Sequence, residues 1–133
     1  MPGIMSRNMY RIQVEHVFDA AHALLIRGER EQSHRHDWRV VLTVVGQHLD
    51  RDGLLCDFHE LEAMLREITA PFDGGDLNTT PPFNTVNPTA EHVARHVGEH
   101  VCACLPDSIR LERIAVTEAV GCIAIYEPEG VTA

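Results

Sequence analysis

His34 and His36 stand two residues apart and open the apolar run from Trp38 to Val45. On a strand, side chains two apart share a face. His22 closes the run Phe18-Asp19-Ala20-Ala21-His22. Delivered by a neighbouring strand, it would complete a three-nitrogen site for Zn²⁺. Three protein ligands leave a fourth position open, which is the catalytic form of a zinc site. Nine histidines in 133 residues make one H-x-H expected by chance. The pair alone therefore decides nothing, and the weight falls on what surrounds it.

The elements that must position these residues can be read from periodicity. Tyr10, Ile12, Val14 and Phe18 keep one parity, as in a half-buried strand. A charged loop follows, Arg27 to Glu31 with Gly28. Trp38 to Val45 is apolar on both parities, as in a strand covered on both faces. Asp52-Gly53 marks a turn. Asp57 is placed as an N-cap with Glu60 three residues on. Leu61, Met64, Leu65 and Ile68 then fall at helical spacing. Residues Pro71 to Pro88 have no periodicity, and loops of that length are often functional. Asn87-Pro88 reads as N-cap and first turn of a second helix, with Thr89 as an alternative cap. Its apolar stripe is Ala90, Val93, Ala94, Val97, Val101 and Cys104, and Pro106 stops it. His92, His96 and His100 run along the other side, expected to be a solvated face. Strands are expected near Leu111–Thr117 and Cys122–Tyr126, with a turn at Gly121. The order is ββ-αα-ββ, a layered α+β domain spanning residues 1–133, with Met1 to Asn8 as a flexible start.

Eleven basic against twenty acidic residues give a net charge of −9. That opposes non-specific binding to nucleic acid, which needs clustered Lys and Arg. No apolar run approaches transmembrane length, and no signal-peptide pattern opens the chain. The expectation is a cytoplasmic protein with no membrane partner. Its four cysteines, Cys56, Cys102, Cys104 and Cys122, should be reduced and mostly buried.

Six short motifs recur in order over nearly the whole chain. They are Phe18-Asp-Ala-Ala-His22, His34-x-His36-Asp37-Trp38, Asp57-Phe58, Asp73 with Leu77-Asn78, Asn87-Pro-Thr-Ala-Glu91, and Thr117-Glu118 with Tyr126. Together they resemble the 6-pyruvoyltetrahydropterin synthase and 6-carboxytetrahydropterin synthase (QueD-like) family. The resemblance implies the tunnelling fold, a four-stranded antiparallel sheet backed by two helices. It also implies subunits closing a barrel, with a homohexamer built from two trimers. The implied cofactor is Zn²⁺ on His22, His34 and His36, acting as a Lewis acid on the side chain of a dihydropterin triphosphate. The implied ring anchor is Glu118, whose carboxylate can accept two ring N–H groups. Thr89 is a second substrate contact, through its backbone, unless it serves only as a helix cap.

The chain departs from the family at the proton-transfer residues. Arg30 stands at the position of the family cysteine, and arginine stays protonated in proteins. Gly74 follows Asp73 where the family has histidine, so Asp73 is a remnant of that pair. Arg35 replaces the glycine between the two histidines and should point to the opposite sheet face. These departures imply a pterin-binding homologue in which the ordinary synthase reaction is lost. Two alternatives stay open. One is an active carbon–oxygen lyase with Glu31 or Glu29 in place of cysteine. The other is a structural oligomer with a vestigial site.

Overall fold

The protein is described here from a computed structural model, over residues 8–129. The expected flexible start lies outside the described residues, apart from Asn8. Strand β1 spans Tyr10–His22 and turns into a small hairpin, β2 (Leu25–Ile26) and β3 (Glu29–Arg30). The charged run expected to be a loop is thus a two-strand ribbon. Its turn residues, Arg27 and Gly28, have φ of 52° and 83°. Strand β4, His34–Gly46, begins at the first histidine of the pair rather than at Trp38. Its first half alternates between exposed and buried residues, and only its last five residues are buried on both parities.

Helix α1 is Phe58–Thr69, and the Asp57 carboxylate accepts from the His59 N–H at 2.8 Å. The long aperiodic segment is not a free loop. It holds β5 (Gly75–Asp76), a 3₁₀ turn at Leu77–Thr79, and three core side chains, Phe72, Leu77 and Phe83. Helix α2 is Ala90–Cys104. Its N-cap is Thr89, whose Oγ1 accepts from the His92 N–H at 3.0 Å. Asn87, expected as the cap, instead clamps the Leu25 backbone: its Oδ1 accepts from Leu25 N and its Nδ2 donates to Leu25 O, each at 2.9 Å. Strands β6 (Ile109–Ala119) and β7 (Cys122–Tyr126) close the chain around Gly121, whose φ is 79°.

The sheet runs β5-β1-β4-β6-β7. Four strands are antiparallel as expected, and β5 adds a fifth, pairing parallel to Ala20 and Ala21 of β1. Both helices pack on one face, burying Phe18, Trp38, Leu42, Leu61, Leu65 and Val97 among others. Two expectations fail here. Cys102, Cys104 and Cys122 are exposed free thiols, and only Cys56 is half-buried. His96 is half-buried, its ring edge-on to Phe72 and Phe83 at 5.6 and 5.4 Å. The aperiodic segment folds back over α2 at His96 alone, and His92 and His100 are exposed as expected. No helix among the described residues is long and apolar enough to cross a membrane.

Candidate metal centre

The two-residue period that buries the core also builds the site. Phe18, Ala20 and His22 follow one another on the helix-covered face of β1. Trp38 and Val40 continue the line of His34 and His36 on β4, and Val116 precedes Glu118 on β6. Register then brings them together. His22 is paired with His34, Ala20 with His36, and Thr117 with Arg39. Each strand therefore carries its apolar face into the centre until the residue type changes to histidine or glutamate.

At that end of the sheet the four side chains converge, with ligand atoms within 4.8 Å of one another. His22 Nε2 and His34 Nε2 are 3.0 Å apart. Glu118 Oε1 lies 2.7 Å from His22 Nε2, 3.2 Å from His36 Nε2 and 3.8 Å from His34 Nε2. His22 is fully buried, with its ring edge-on to Trp38 at 4.7 Å.

The protons on two of the rings are set by backbone carbonyls. His22 Nδ1 faces Pro88 O at 2.8 Å, and His34 Nδ1 faces Gln32 O at 3.1 Å. A carbonyl only accepts, so each Nδ1 donates and each neutral ring presents an Nε2 lone pair inward. The close approach of the two Nε2 atoms is then a meeting of acceptors and not a hydrogen bond. His36 Nε2 is buried and, among the described residues, is the one buried side-chain polar atom without a hydrogen-bond partner. The Glu118 oxygen is near it but not aligned for a bond. Burial above all, with the adjoining His34 and His22, holds His36 below the usual histidine pKa, against the opposing pull of Glu118.

Two imidazole lone pairs, the unpartnered His36 Nε2 and a carboxylate thus meet at one space. A divalent cation resolves that arrangement, and the donor set of three nitrogens and one oxygen suits zinc. Backbone carbonyls on the outer nitrogens are the usual support of metal-binding histidines.

Two asparagines hold the backbone beside the cluster, a role not expected from their sequence positions. Asn78 Oδ1 accepts from Ala23 N at 2.7 Å and its Nδ2 donates to Ala23 O at 2.9 Å, fixing the residue after His22. Asn87 fixes Leu25 in the same way. The signal was present, since each lies in one of the recurring motifs.

The remaining site candidates are placed as follows. Glu31 Oε1 accepts from Leu24 N at 3.0 Å and lies 3.7 Å from His34 Nδ1. Glu29 and Arg30 are exposed on the hairpin. Arg30 looks onto a cavity shared with Leu25, Asn78, Asn87 and Pro88. Asp73 is away from the four-residue cluster. Its Oδ1 accepts from Asp19 N at 3.0 Å and so ties the β5 turn to β1. Thr89 commits its hydroxyl to the cap and its N–H to Asn87 O, and its carbonyl accepts from Val93 N. Arg35 points to the opposite face as expected, donating to Asp19 Oδ2 at 2.8 Å and toward Gly75 O at 3.4 Å.

A mixed sheet covered by two helices, with a His₃Glu centre at the end of its buried face, defines a class of protein. The sequence profile described as 6-pyruvoyl tetrahydropterin synthase matches residues 11–129, and the chain belongs to that family. Solved structures share the fold. The Caenorhabditis elegans 6-pyruvoyl tetrahydropterin synthase superposes with a TM-score of 0.81 at 19% identity, covering 94% of this chain and 100% of the other. The Plasmodium vivax enzyme gives 0.74 at 17%, covering 90% and 97%. A Plasmodium vivax variant with cysteine replacing a catalytic glutamate gives the same TM-score, identity and coverage. No curated protein matches the chain by sequence.

Proposed function

We propose that this protein binds a pterin at a zinc centre held by His22, His34 and His36, and that the ordinary synthase reaction is lost. The convergence of three imidazole Nε2 atoms and a carboxylate, two of the rings with their Nδ1 protons held by backbone carbonyls, carries the metal reading. Zinc there would supply a Lewis acid for the oxygens of the ligand side chain. Glu118 would accept the paired N–H donors of the ring. The Thr89 carbonyl, with one lone pair uncommitted, would add a further contact. The loss of reaction rests on Arg30 and Gly74 at the cysteine and histidine positions. General acid–base groups contribute roughly 10²–10⁴-fold to rate, so only a trace conversion of dihydroneopterin triphosphate to 6-pyruvoyltetrahydropterin is expected. Calorimetry with neopterin and biopterin on zinc-loaded protein tests the binding. No binding to either would overturn the ligand class.

A second reading is favoured by the position of Glu31. Its carboxylate lies 3.7 Å from His34 Nδ1, on the outer side of that ligand ring, and a turn of the side chain would bring an acceptor toward the metal group, as a general base requires. The Plasmodium vivax protein, at a similar fold, has a catalytic glutamate. On this reading the protein is a carbon–oxygen lyase on a dihydropterin triphosphate, with Glu31 moving the proton. Consumption of that substrate, abolished in Glu31→Gln with pterin binding retained, would select this reading over the first.

The sheet edges support a reading of the assembly. Among the described residues, β1 has no partner on its outer side beyond Ala20 and Ala21, and β7 is the opposite edge. Unpaired edges of this length are normally covered. We infer trimers closing a barrel, two of which form a homohexamer in the cytoplasm. A monomer in light scattering at micromolar concentration would refute it.

A further inference from the structure

Glu118 has two possible uses, and its position in the structure favours the one not required for holding a ring. Four equal bonds of roughly 2.0–2.1 Å in a tetrahedron give ligand-to-ligand edges of roughly 3.3–3.4 Å. The separations of Glu118 Oε1 from the three Nε2 atoms, together with the His22–His34 separation, are 2.7, 3.2, 3.8 and 3.0 Å. These four separations scatter about the tetrahedral edge, which puts the carboxylate within reach of the position a fourth ligand would take. The same residue also lines a surface groove with Ala90, Glu91, Cys122, Ile123 and Ile125. Its side chain is 22% exposed, toward solvent on one side and the imidazoles on the other.

We propose that Glu118 is a displaceable fourth ligand. In the resting protein it closes the metal site as His₃Glu. A ring with adjacent N–H donors entering the groove draws the carboxylate off the metal and opens the fourth position. One carboxylate cannot serve both partners with the same lone pairs, so ring binding and an open metal are coupled. The displacement rests on the pterin reading above; the closed resting site does not.

The test uses the full chain with cobalt in place of zinc, because the visible bands of cobalt report its coordination. Azide is the probe for an open position, and 6-methylpterin is the ring, since it lacks the side-chain hydroxyls that could themselves occupy the metal. Wild-type cobalt protein should show the strong bands of a four-coordinate site and bind azide at least roughly tenfold more weakly than Glu118→Gln or Glu118→Ala. Zinc affinity by chelator competition should fall at least roughly tenfold in both variants. Saturating 6-methylpterin should make the wild-type spectrum respond to azide. If wild type without any ring binds azide as well as the variants do, Glu118 is not a ligand and the proposal fails. That wild-type titration stands even if a variant does not fold, because tight azide binding that leaves the ring-free cobalt four-coordinate would mean that azide, and not Glu118, holds the fourth position. If 6-methylpterin binds by calorimetry and the cobalt stays closed, displacement is overturned while pterin binding survives. If no ring binds and the cobalt is closed, the fourth-ligand assignment holds and the pterin reading fails.

Discussion

His22 Nδ1 lies 2.8 Å from the carbonyl oxygen of Pro88, in the turn that enters α2. This bond fixes the ring tautomer and joins the end of β1 to the second helix. His22 is fully buried, whereas the side chain of His34 is 38% exposed. The two histidines should therefore respond differently to truncation. His22→Ala opens a cavity and orphans a carbonyl, at a cost of about 2–4 kcal/mol to the metal-free fold. His34→Ala should cost the metal-free fold less than about 1 kcal/mol. Both should lose tight zinc binding. Urea unfolding in chelator, beside zinc competition, checks the contrast.

Arg35 reaches across the outer face to Asp19, and both side chains are about half exposed. An ion pair so placed is worth at most about 1 kcal/mol. Arg35→Ala should change stability within that limit and leave zinc affinity unaltered, because the side chain points away from the imidazoles. A large loss of zinc affinity would show that the Arg35–Asp19 contact positions the His34–His36 segment.

His96 is held to a pKa of about 4, mainly by burial, with His100 adding to the shift and Glu99 opposing it. The folded value is below the ordinary 6.5, so between these pH values the unfolded chain binds a proton that the folded chain does not. Stability should therefore fall as pH drops from about 6.5 toward about 4. The shift corresponds to at most about 3 kcal/mol, and less because the ring is part-exposed. His96→Leu should lose less stability than wild type between pH roughly 7 and roughly 4.5 in paired urea titrations. Parallel losses would exclude His96 as the source.

Gly98 faces Tyr126 across the α2–β7 contact. A Cβ there would lie 2.5 Å from the Tyr126 ring. Alanine normally stabilises a helix by about 1 kcal/mol over glycine. Here the displaced ring should outweigh that gain, and Gly98→Ala should destabilise by about 1–3 kcal/mol. The double variant Gly98→Ala with Tyr126→Ala should recover the helix-propensity gain, which a thermal melt would show.

What the sequence determined by itself were the features with a local period. The i, i+2 histidines share a face because a strand alternates, and Leu61 and Leu65 are core because a helix repeats near 3.6. The family motifs added Glu118 and ordered the whole chain, and the family assignment holds. The short elements were not legible. β5 and the Leu25–Arg30 hairpin are too brief to carry a period, and they exist because backbone hydrogen bonds to β1 and a glycine turn hold them. Asn87 looked like a cap because Pro88 follows it, but its amide is claimed by Leu25, distant in sequence and adjacent in space. The solvated reading of His96 failed for the same reason, since Phe72 and Phe83 arrive from the segment without periodicity. Only the tertiary structure placed Glu118 on the imidazoles. That meeting depends on the register of β6 against β4 and of β4 against β1, and register is set by the packing of the whole buried face rather than by any window of sequence.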